Sequence, residues 1–306
     1  MSLGRPFIEL AALSEAAALA RADRLAAAPS PVVDLDVRGA DSLPAVGVLQ
    51  RMVDRLHERA PGRPLVLSVT TNLGATDHAA CDWLVQQGAL VTLAFDGPRE
   101  AHEANRARSG APAHEAVVSW IRLLHQRFAE RGVSTVAAYV TGVLTVTGHT
   151  LAAGADATVG SCVEAGLTYV LLRRGEDVPP PAFLTFWRDA VRVVLARNTG
   201  GGLLVEKRLA LHLEARGSLD PRPRAESPAS CAACPHDATC GSPLLRRYLL
   251  EEDEKRCGGA WCATSMGTFD LVSTLLASAE GGALRDVYRT WMAARDAVMA
   301  RLAPLR

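Results

Sequence analysis

Lysine is almost absent from this chain of 306 residues: arginine supplies all of the 33 basic residues except Lys207 and Lys255. The basic residues are balanced by 33 acidic ones, so the formal net charge is zero at pH 7. A chain without an overall positive field lacks the electrostatic footprint of a nucleic-acid-binding protein. We therefore expect no nucleic-acid partner, and we attribute the preference for arginine to a GC-rich genome rather than to a ligand.

Long apolar runs are absent too. No stretch of 18 residues is continuously apolar, so the sequence predicts no membrane-spanning helix and no membrane partner. Near the N-terminus, Glu9, Glu15 and Arg21 interrupt the apolar runs, which does not fit the pattern of a signal peptide. With 49% apolar and 22% charged residues, the composition is that of an ordinary globular protein. We expect a cytoplasmic chain with a large core.

Cysteine is missing from the first 80 residues and concentrated near the C-terminus. Five of the seven cysteines lie in one segment, CAACPHDATCGSPLLRRYLLEEDEKRCGGAWC. In a chain expected to be cytoplasmic, such clustering indicates metal binding before disulfides. Cys231, Cys234 and Cys240 form a C-x2-C-x5-C triplet, and Cys262 or Cys257 can supply a fourth thiolate. Four thiolates suit Zn²⁺ or an iron–sulfur cluster, and the spacing alone does not choose between them.

The order of the predicted elements indicates an α/β fold. Residues 1–216 alternate short β-runs with longer helical runs, and strands are predicted at 6–10, 31–37, 64–70, 90–95, 134–141 and 168–173. Apolar strands of this kind predict a parallel sheet that is buried on both faces by helices. A partial or complete (β/α) barrel and a doubly wound sheet fit this pattern equally well.

Three further regions complete the predicted organisation. Residues 217–230, rich in proline, serine and charge, are predicted to be a linker. Residues 231–306 are predicted to form a small metal-binding module with C-terminal helices. Cys81 and Cys162 lie inside helical patterns, where a small buried side chain is the expected role of a cysteine.

Three loops that follow predicted strands, together with the cysteine segment, match known patterns in a fixed order. The loops are RGADSLP (38–44), TTNLGATD (70–77) and AFDGPREAHEANR (94–106). They resemble the GGEPLL, TNG-x-L-x-D and SLDGPxExHDxxR loops of radical SAM enzymes that carry a C-terminal SPASM domain. The cysteine segment is most similar to the end of the radical SAM maturases of the His-Xaa-Ser peptide system. Together the matches extend over roughly residues 31–276.

The resemblance implies a partial (β/α)6 radical-SAM-like barrel followed by a truncated SPASM or twitch-like module. At the mouth of such a barrel, Asp41, Asn72 and Asp96 are the candidate cofactor-binding residues. In the C-terminal module, the family pattern assigns the four ligands of one auxiliary [4Fe–4S] cluster to Cys231, Cys234, Cys240 and Cys262, and Zn²⁺ is the alternative metal.

The departures from the family matter more than the matches. Radical SAM enzymes hold their catalytic cluster on C-x3-C-x2-C after the first strand, and here no cysteine precedes Cys81. The GGE motif has become Gly39-Ala40-Asp41, and the serine of SxDG has become Ala94. We therefore expect no reductive cleavage of SAM, no SAM as cofactor, and no catalytic residue of that reaction.

These features predict a radical-SAM-like pseudoenzyme that acts as a scaffold in the maturation of a ribosomally made peptide (RiPP-type). It would bind a maturation enzyme, the precursor peptide or both in a heteromeric complex. Phe183, Phe186 and Trp187 lie close in sequence, and these aromatic side chains could belong either to that interface or to the core.

Two alternatives stay open. The first is an enzyme of other chemistry that uses polar groups at the vacated barrel mouth, namely Asp41, Asn72, Asp77, Asp96, His102 and Arg106. The second is a zinc-binding module. For Asp96-Gly97-Pro98 the favoured interpretation is a turn, with His102 packed beside it.

Overall fold

The computed structural model describes residues 8–9, 14–38, 46–72, 77–106, 113–199, 204–210, 213, 260–278 and 281–302. The strands in these ranges are β1 (Ile8–Glu9), β2 (Val33–Arg38), β3 (Leu65–Thr71), β4 (Leu90–Ala94), β5 (Val140–Val146), β6 (Tyr169–Arg174) and β7 (Val205–Glu206). The helices are α1 (Glu15–Ala27), α2 (Val46–Arg59), α3 (His78–Gln86), α4 (Arg99–Arg106), α5 (His114–Glu130), α6 (Thr135–Ala138), α7 (Gly148–Ala153), α8 (Ala155–Glu164), α9 (Pro180–Thr199), α10 (Ala260–Ala277) and α11 (Gly281–Leu302).

The sheet is parallel throughout, and its strand order is the order of the sequence. Each strand from β1 to β6 pairs with the next one along the chain. Right-handed crossovers between successive neighbours place the helices on a single face of the sheet. A doubly wound sheet reverses its strand order at a switch point, and this sheet does not. The strand order is therefore that of a barrel wall. Of the two folds that the sequence pattern allowed, a (β/α) barrel and a doubly wound sheet, the structure agrees with the barrel.

The two faces of the sheet differ. In β2, Val33, Leu35 and Val37 are buried against the helices, whereas Asp34 and Asp36 on the other face are half-buried. The same alternation runs along β3. The prediction of strands buried on both faces is thus wrong for these two strands, because helices cover only one side. We call the opposite side of the sheet the open face.

The helices follow from their apolar spacing. In α5, Val117, Ile121, Leu124 and Phe128 recur every three or four residues, and all four are buried. Gly132 follows this helix with a φ of 73°, a conformation that glycine adopts without steric cost.

One strand lies later in the chain than predicted. Of the segment predicted as a strand at 134–141, Thr135–Ala138 form helix α6 and only the last two residues belong to β5, which runs from Val140 to Val146. Gly142 lies inside β5, and a Cβ at this position would come within 2.6 Å of Leu167 Cδ1. The close approach of the following helix–strand connection, which only the fold shows, explains this glycine.

The aromatic side chains proposed for an interface belong to the core. Phe183 and Trp187 are fully buried, and Phe186 is 6% exposed. These side chains therefore offer no surface to a partner, and of the two alternatives the core is correct. Cys81 and Cys162 are also buried in this core, which confirms their predicted role.

The C-terminal helices pack on the same layer of helices. In α10, Phe269, Val272 and Leu275 are buried, and Gly267 lets the helix approach Leu184 of α9 closely. The predicted linker at 217–230 and most of the cysteine segment lie outside the described residues. Among the helices that the structure describes, none is both long and apolar enough to cross a membrane.

Candidate functional site

A row of hydroxyl groups crosses the open face. The register aligns Thr70 with Thr92, Thr92 with Thr141, and Thr141 with Tyr169. Since neighbouring strands lie roughly 4.8 Å apart, these side chains form a ladder across four strands. Thr70 and Thr92 are half-buried, and Thr141 and Tyr169 are buried. We call Thr70, Thr92, Thr141 and Tyr169 the hydroxyl row, and its open end lies at β3 and β4.

Charged side chains flank this row. On β2, the guanidinium of Arg38 donates to Asp36 Oδ2 at 2.8 Å and 3.2 Å, and Ser68 of β3 lies in register with Asp36. On β6, Arg173 lies in register with Thr145 of β5. The open face therefore combines carboxylates, hydroxyls and guanidinium groups, which suits a polar ligand better than an apolar one.

The sequence carries a signal for this face that lies in the strands and not in the loop motifs. The strand sequences VDLDVR and LVLSVTT place polar side chains at every second position. In a parallel sheet covered by helices on both faces, such alternation is not expected. The alternation of polar and apolar residues in these two strands therefore indicates that helices leave one face of the sheet uncovered.

Asp96 lies just beyond the carboxyl end of β4 and is fully buried. Arg106 of α4 donates from Nε to Oδ2 at 2.6 Å and from Nη2 to Oδ1 at 3.0 Å. The backbone N–H of Thr145 in β5 also donates to Oδ1, at 3.0 Å. One carboxylate thus joins β4, α4 and β5, and charge-assisted bonds of this kind are the strong ones.

The rest of this loop supports the turn interpretation. Gly97 has a φ of 88°, and the backbone N–H of Asp96 donates to Nδ1 of His102 at 3.2 Å. His102 is buried, and its ring lies 5.9 Å from that of Phe95 and 5.7 Å from that of His114. The imidazole of His102 accordingly packs beside the turn and receives a hydrogen bond from it.

The other candidates at the barrel mouth occupy different positions. Asn72 directly follows β3 and is half-buried, at the same edge of the sheet as Asp96. Asp77 caps α3 and accepts a hydrogen bond from the N–H of Ala80 at 2.7 Å. Asp41 lies outside the described residues. The structure thus brings Asn72 and Asp96 to one edge, and it gives Asp77 a helix-capping role.

Most of the predicted metal ligands lie outside the described residues. Cys262 belongs to the first turn of α10, whereas Cys231, Cys234, Cys240 and Cys257 lie outside the described residues. The four-thiolate site therefore stays a prediction.

The thiols that the structure describes fully do not fit a catalytic iron–sulfur cluster. Burial, followed by the charge of Asp82, raises the pKa of Cys81 to about 12, and burial alone raises the pKa of Cys162 to about 12. Cys81 lies in α3 and Cys162 in α8, so neither belongs to the segment after the first strand where radical SAM enzymes hold their catalytic cluster. No cysteine occurs between β1 and α1, where the cluster loop would lie.

Comparison with solved structures shows what this architecture is similar to. The hexahistidine-tagged form of anSMEcpe with bound AdoMet aligns over 93% of this chain and 90% of that chain, with a TM-score of 0.65 and 11% identity. Native anSMEcpe with bound AdoMet and Cp18Cys peptide aligns over 88% and 91%, with a TM-score of 0.61 and 11% identity. A third alignment, to native anSMEcpe with bound AdoMet, covers 67% of this chain and 57% of that chain, with a TM-score of 0.56 and 14% identity.

These proteins are anaerobic sulfatase-maturating enzymes of the radical SAM/SPASM type. The chain has a radical-SAM-like fold. No family model and no curated protein matches its sequence. At this level of identity the likeness extends to the fold alone, and AdoMet and the peptide are ligands of those enzymes.

Two histidines make the stability of this fold dependent on pH. Burial is the main cause that lowers the pKa of His114 and of His125 below the ordinary value of 6.5. As the pH falls through about 6.5, the unfolded chain takes up these protons first, so the folded state loses stability. We expect the free energy of unfolding to fall more steeply between pH 7.5 and 5.5 in the natural chain than in a His114→Gln/His125→Gln variant.

Urea denaturation at both pH values measures this difference. Burial raises the pKa of Glu206, which has the opposite dependence on pH, but Glu206 is present in both chains and its contribution cancels. Equal slopes in the two chains would show that the histidines contribute nothing.

Proposed function

We propose that this chain is a radical-SAM-like scaffold without radical chemistry, and that it serves the maturation of a ribosomally made peptide. In this role it binds the precursor peptide, a maturation enzyme or both, and it holds one auxiliary [4Fe–4S] cluster. The proposal is supported by a fold that is retained although the thiolates of the catalytic cluster are missing. The sheet runs from β1 to β7, yet the connection from β1 to α1 has no cysteine.

The Asp96 loop supports the same proposal. This segment resembles the SLDGPxExHDxxR loop of radical SAM enzymes, and in this chain its carboxylate is bonded to Arg106 and to the backbone of Thr145. A carboxylate with these partners holds β4, α4 and β5 together. Retention of such a loop preserves the shape of the sheet even where no reaction depends on it.

The open face is the proposed site for the peptide. Its half-buried polar side chains, such as Thr70, Thr92 and Asp36, offer hydrogen-bonding groups to a polar chain. The buried aromatics of α9 leave no interface there, so the maturation enzyme is proposed to bind elsewhere on the surface. Cys231, Cys234, Cys240 and Cys262 are the proposed ligands of the auxiliary cluster, which supplies folding energy to the C-terminal module.

Co-expression with the products of neighbouring genes tests this proposal. We expect a neighbouring enzyme to co-elute with this chain in size-exclusion chromatography, and we expect no 5′-deoxyadenosine from this chain alone with SAM and a strong reductant. Release of 5′-deoxyadenosine above a no-protein control would contradict the absence of radical chemistry. Failure of every neighbouring protein and peptide to bind would contradict the scaffold role.

A matched pair of variants locates the peptide. Thr92→Arg places a large cation in the middle of the hydroxyl row, whereas Thr290→Arg makes the same change on the exposed surface of α11. We expect Thr92→Arg to weaken binding of the co-encoded peptide at least roughly tenfold and Thr290→Arg to leave it unchanged, because each 1.4 kcal/mol changes affinity tenfold. Equal effects of the two variants would place the peptide away from the open face.

A specific set of residues favours the second candidate function, an enzyme of other chemistry on the same face. Asp36 of β2 is a potential general acid or base, and Arg38 and Ser68 beside it could hold a polar substrate. Turnover of a small molecule by the isolated chain, abolished by Asp36→Asn, would favour this alternative over the scaffold.

A further inference from the structure

A groove lies on the outer surface of the helix layer, on the side of the sheet opposite the open face. Its walls come from the first residue of α3 and from two turns of α5, and its volume is about 410 Å³. Binding pockets of roughly 300–1,000 Å³ are common in proteins. We call it the α5 groove, and its lining residues are His78, Ser119, Trp120, Arg122, Leu123 and Gln126.

The floor of the α5 groove is apolar. Trp120 and Leu123 pack against the core, yet both are only half-buried. The ring of the exposed His78 lies 5.6 Å from that of Trp120 and forms one wall. Tryptophan is enriched where proteins bind one another, because its ring supplies a large apolar contact.

A cation stands beside this floor. Arg122 is exposed, and its Nη2 donates to the backbone carbonyl of Glu164 at 3.2 Å. Within the described residues Arg122 forms no ion pair, whereas Arg127, later in α5, pairs with Asp82 and with Glu130 at 2.9 Å each. The bond to a carbonyl positions the guanidinium of Arg122 without neutralising its charge. Its other N–H donors can therefore take a carboxylate.

The end of α8 adds an exposed apolar side chain next to this cation. Val163 is the one large apolar side chain that the described part of the chain leaves exposed, at 41%. It directly precedes Glu164, whose carbonyl holds Arg122. A single exposed valine is ordinary, but here Trp120, Leu123 and Val163 lie around one arginine. Aromatic side chains and arginine together are typical of the centre of a protein interface.

The shape of the α5 groove favours a segment of protein over a small molecule. Ser119, Arg122 and Gln126 recur every three or four residues, so they share the outward side of α5, and all three are exposed. The groove is therefore open to solvent along two turns of the helix. Sites for small molecules enclose most of the ligand surface, whereas an open groove with an apolar floor suits a peptide segment.

We propose that the α5 groove docks a segment of a partner protein that presents a carboxylate beside an apolar side chain. The carboxylate binds Arg122, and the apolar side chain lies on Trp120 and Leu123. The groove is inferred from its own geometry, and only its assignment to the maturation enzyme rests on the proposed function. A peptide on the open face leaves this groove free, because the two sites lie on opposite sides of the sheet.

Random short peptides displayed on phage test the groove without knowledge of the partner. We expect selection on the full natural chain to enrich peptides that carry aspartate or glutamate close to an apolar or aromatic residue. In fluorescence polarisation, synthetic copies should bind at least roughly tenfold more tightly than counterparts with an amide in place of each carboxylate. No enrichment, or equal affinity of the acid and amide peptides, would overturn the proposal.

Exchanges of exposed residues assign the binding to the groove. Arg122→Glu reverses the charge beside the groove and is expected to abolish binding of the acidic peptides. Arg24→Glu makes the same change of net charge on the exposed surface of α1 and is expected to leave binding intact. Ser119→Trp fills the groove from an exposed position and is expected to weaken binding roughly tenfold or more. Equal losses in Arg122→Glu and Arg24→Glu, or undiminished binding to Arg122→Glu, would contradict the site.

Co-elution with the neighbouring enzyme separates this inference from the scaffold role. We expect the enzyme to co-elute with the natural chain and with Arg24→Glu, but not with Arg122→Glu. Equal co-elution with all three chains would overturn the assignment of the groove to the enzyme and leave the scaffold role intact. Absence of co-elution with the natural chain would contradict the scaffold role, while the phage selection still decides whether the groove binds acidic segments.

Discussion

Alanine at Cys231, Cys234, Cys240 or Cys262 is expected to leave the anaerobically purified chain without its metal. The natural chain should be brown and contain about four irons, because four thiolates with the family's spacing are proposed to hold a [4Fe–4S] cluster. Loss of one ligand opens the cluster, and the C-terminal module then loses the folding energy that metal binding supplies. Iron analysis, the visible spectrum and thermal unfolding measure these effects.

Cys257→Ala is the matched control for this set. Cys257 lies in the same segment and is five residues before Cys262, yet it is not one of the four proposed ligands. We expect this variant to retain the full iron content. An empty site in Cys257→Ala together with a filled one in Cys262→Ala would reassign the fourth ligand. One zinc per chain without iron would replace the cluster with a structural zinc site.

Asp96→Ala is expected to destabilise the fold by about 3–5 kcal/mol, the cost of removing one partner from a buried ion pair. Asp96 is buried, and Arg106 is 22% exposed, so the variant leaves a guanidinium with little access to water. The N–H of Thr145 also loses its acceptor. The urea midpoint of unfolding measures this loss. An Arg106→Ala/Asp96→Ala double variant should lose less than the two single variants combined.

Asp23→Ala is the matched control for Asp96→Ala. Asp23 also accepts two hydrogen bonds from one arginine, Arg55, at 2.8 Å and 3.2 Å. This pair lies on the surface, where water replaces a lost partner, so we expect a much smaller change in the urea midpoint. Equal changes in Asp23→Ala and Asp96→Ala would show that burial of the pair contributes nothing to its effect.

The helix faces and most strands of this fold could be predicted from the sequence. The spacing of Val117, Ile121, Leu124 and Phe128 indicates the buried side of α5 because a helix brings such residues to one face. The position of β5 could not be predicted in the same way. Gly142 lies inside this strand because Leu167 occupies the space that a larger side chain would need, and only the fold shows this contact.

The candidate site, too, could be predicted only in part from the sequence. The polar alternation in β2 and β3 is visible in the sequence, and it indicates an uncovered face once a parallel sheet is assumed. Alignment of the hydroxyls across four strands depends on register, which turns and tertiary packing set. For a related reason, the sequence could not decide between the core and an interface for Phe183 and Trp187. Their local pattern suits a core and a surface equally well, and only the packing of α9 on the sheet buries them.

By itself the sequence determined the α/β class, the absence of the cysteine triad and the clustering of five cysteines near the C-terminus, because these depend only on local composition and spacing. The tertiary structure decided the strand order, which face of the sheet stays open and which distant residues meet. Lys207 reaches Tyr139, and Asp96 reaches Thr145, across long stretches of chain. Such contacts arise from the path of the whole backbone, so no local pattern in the sequence could specify them.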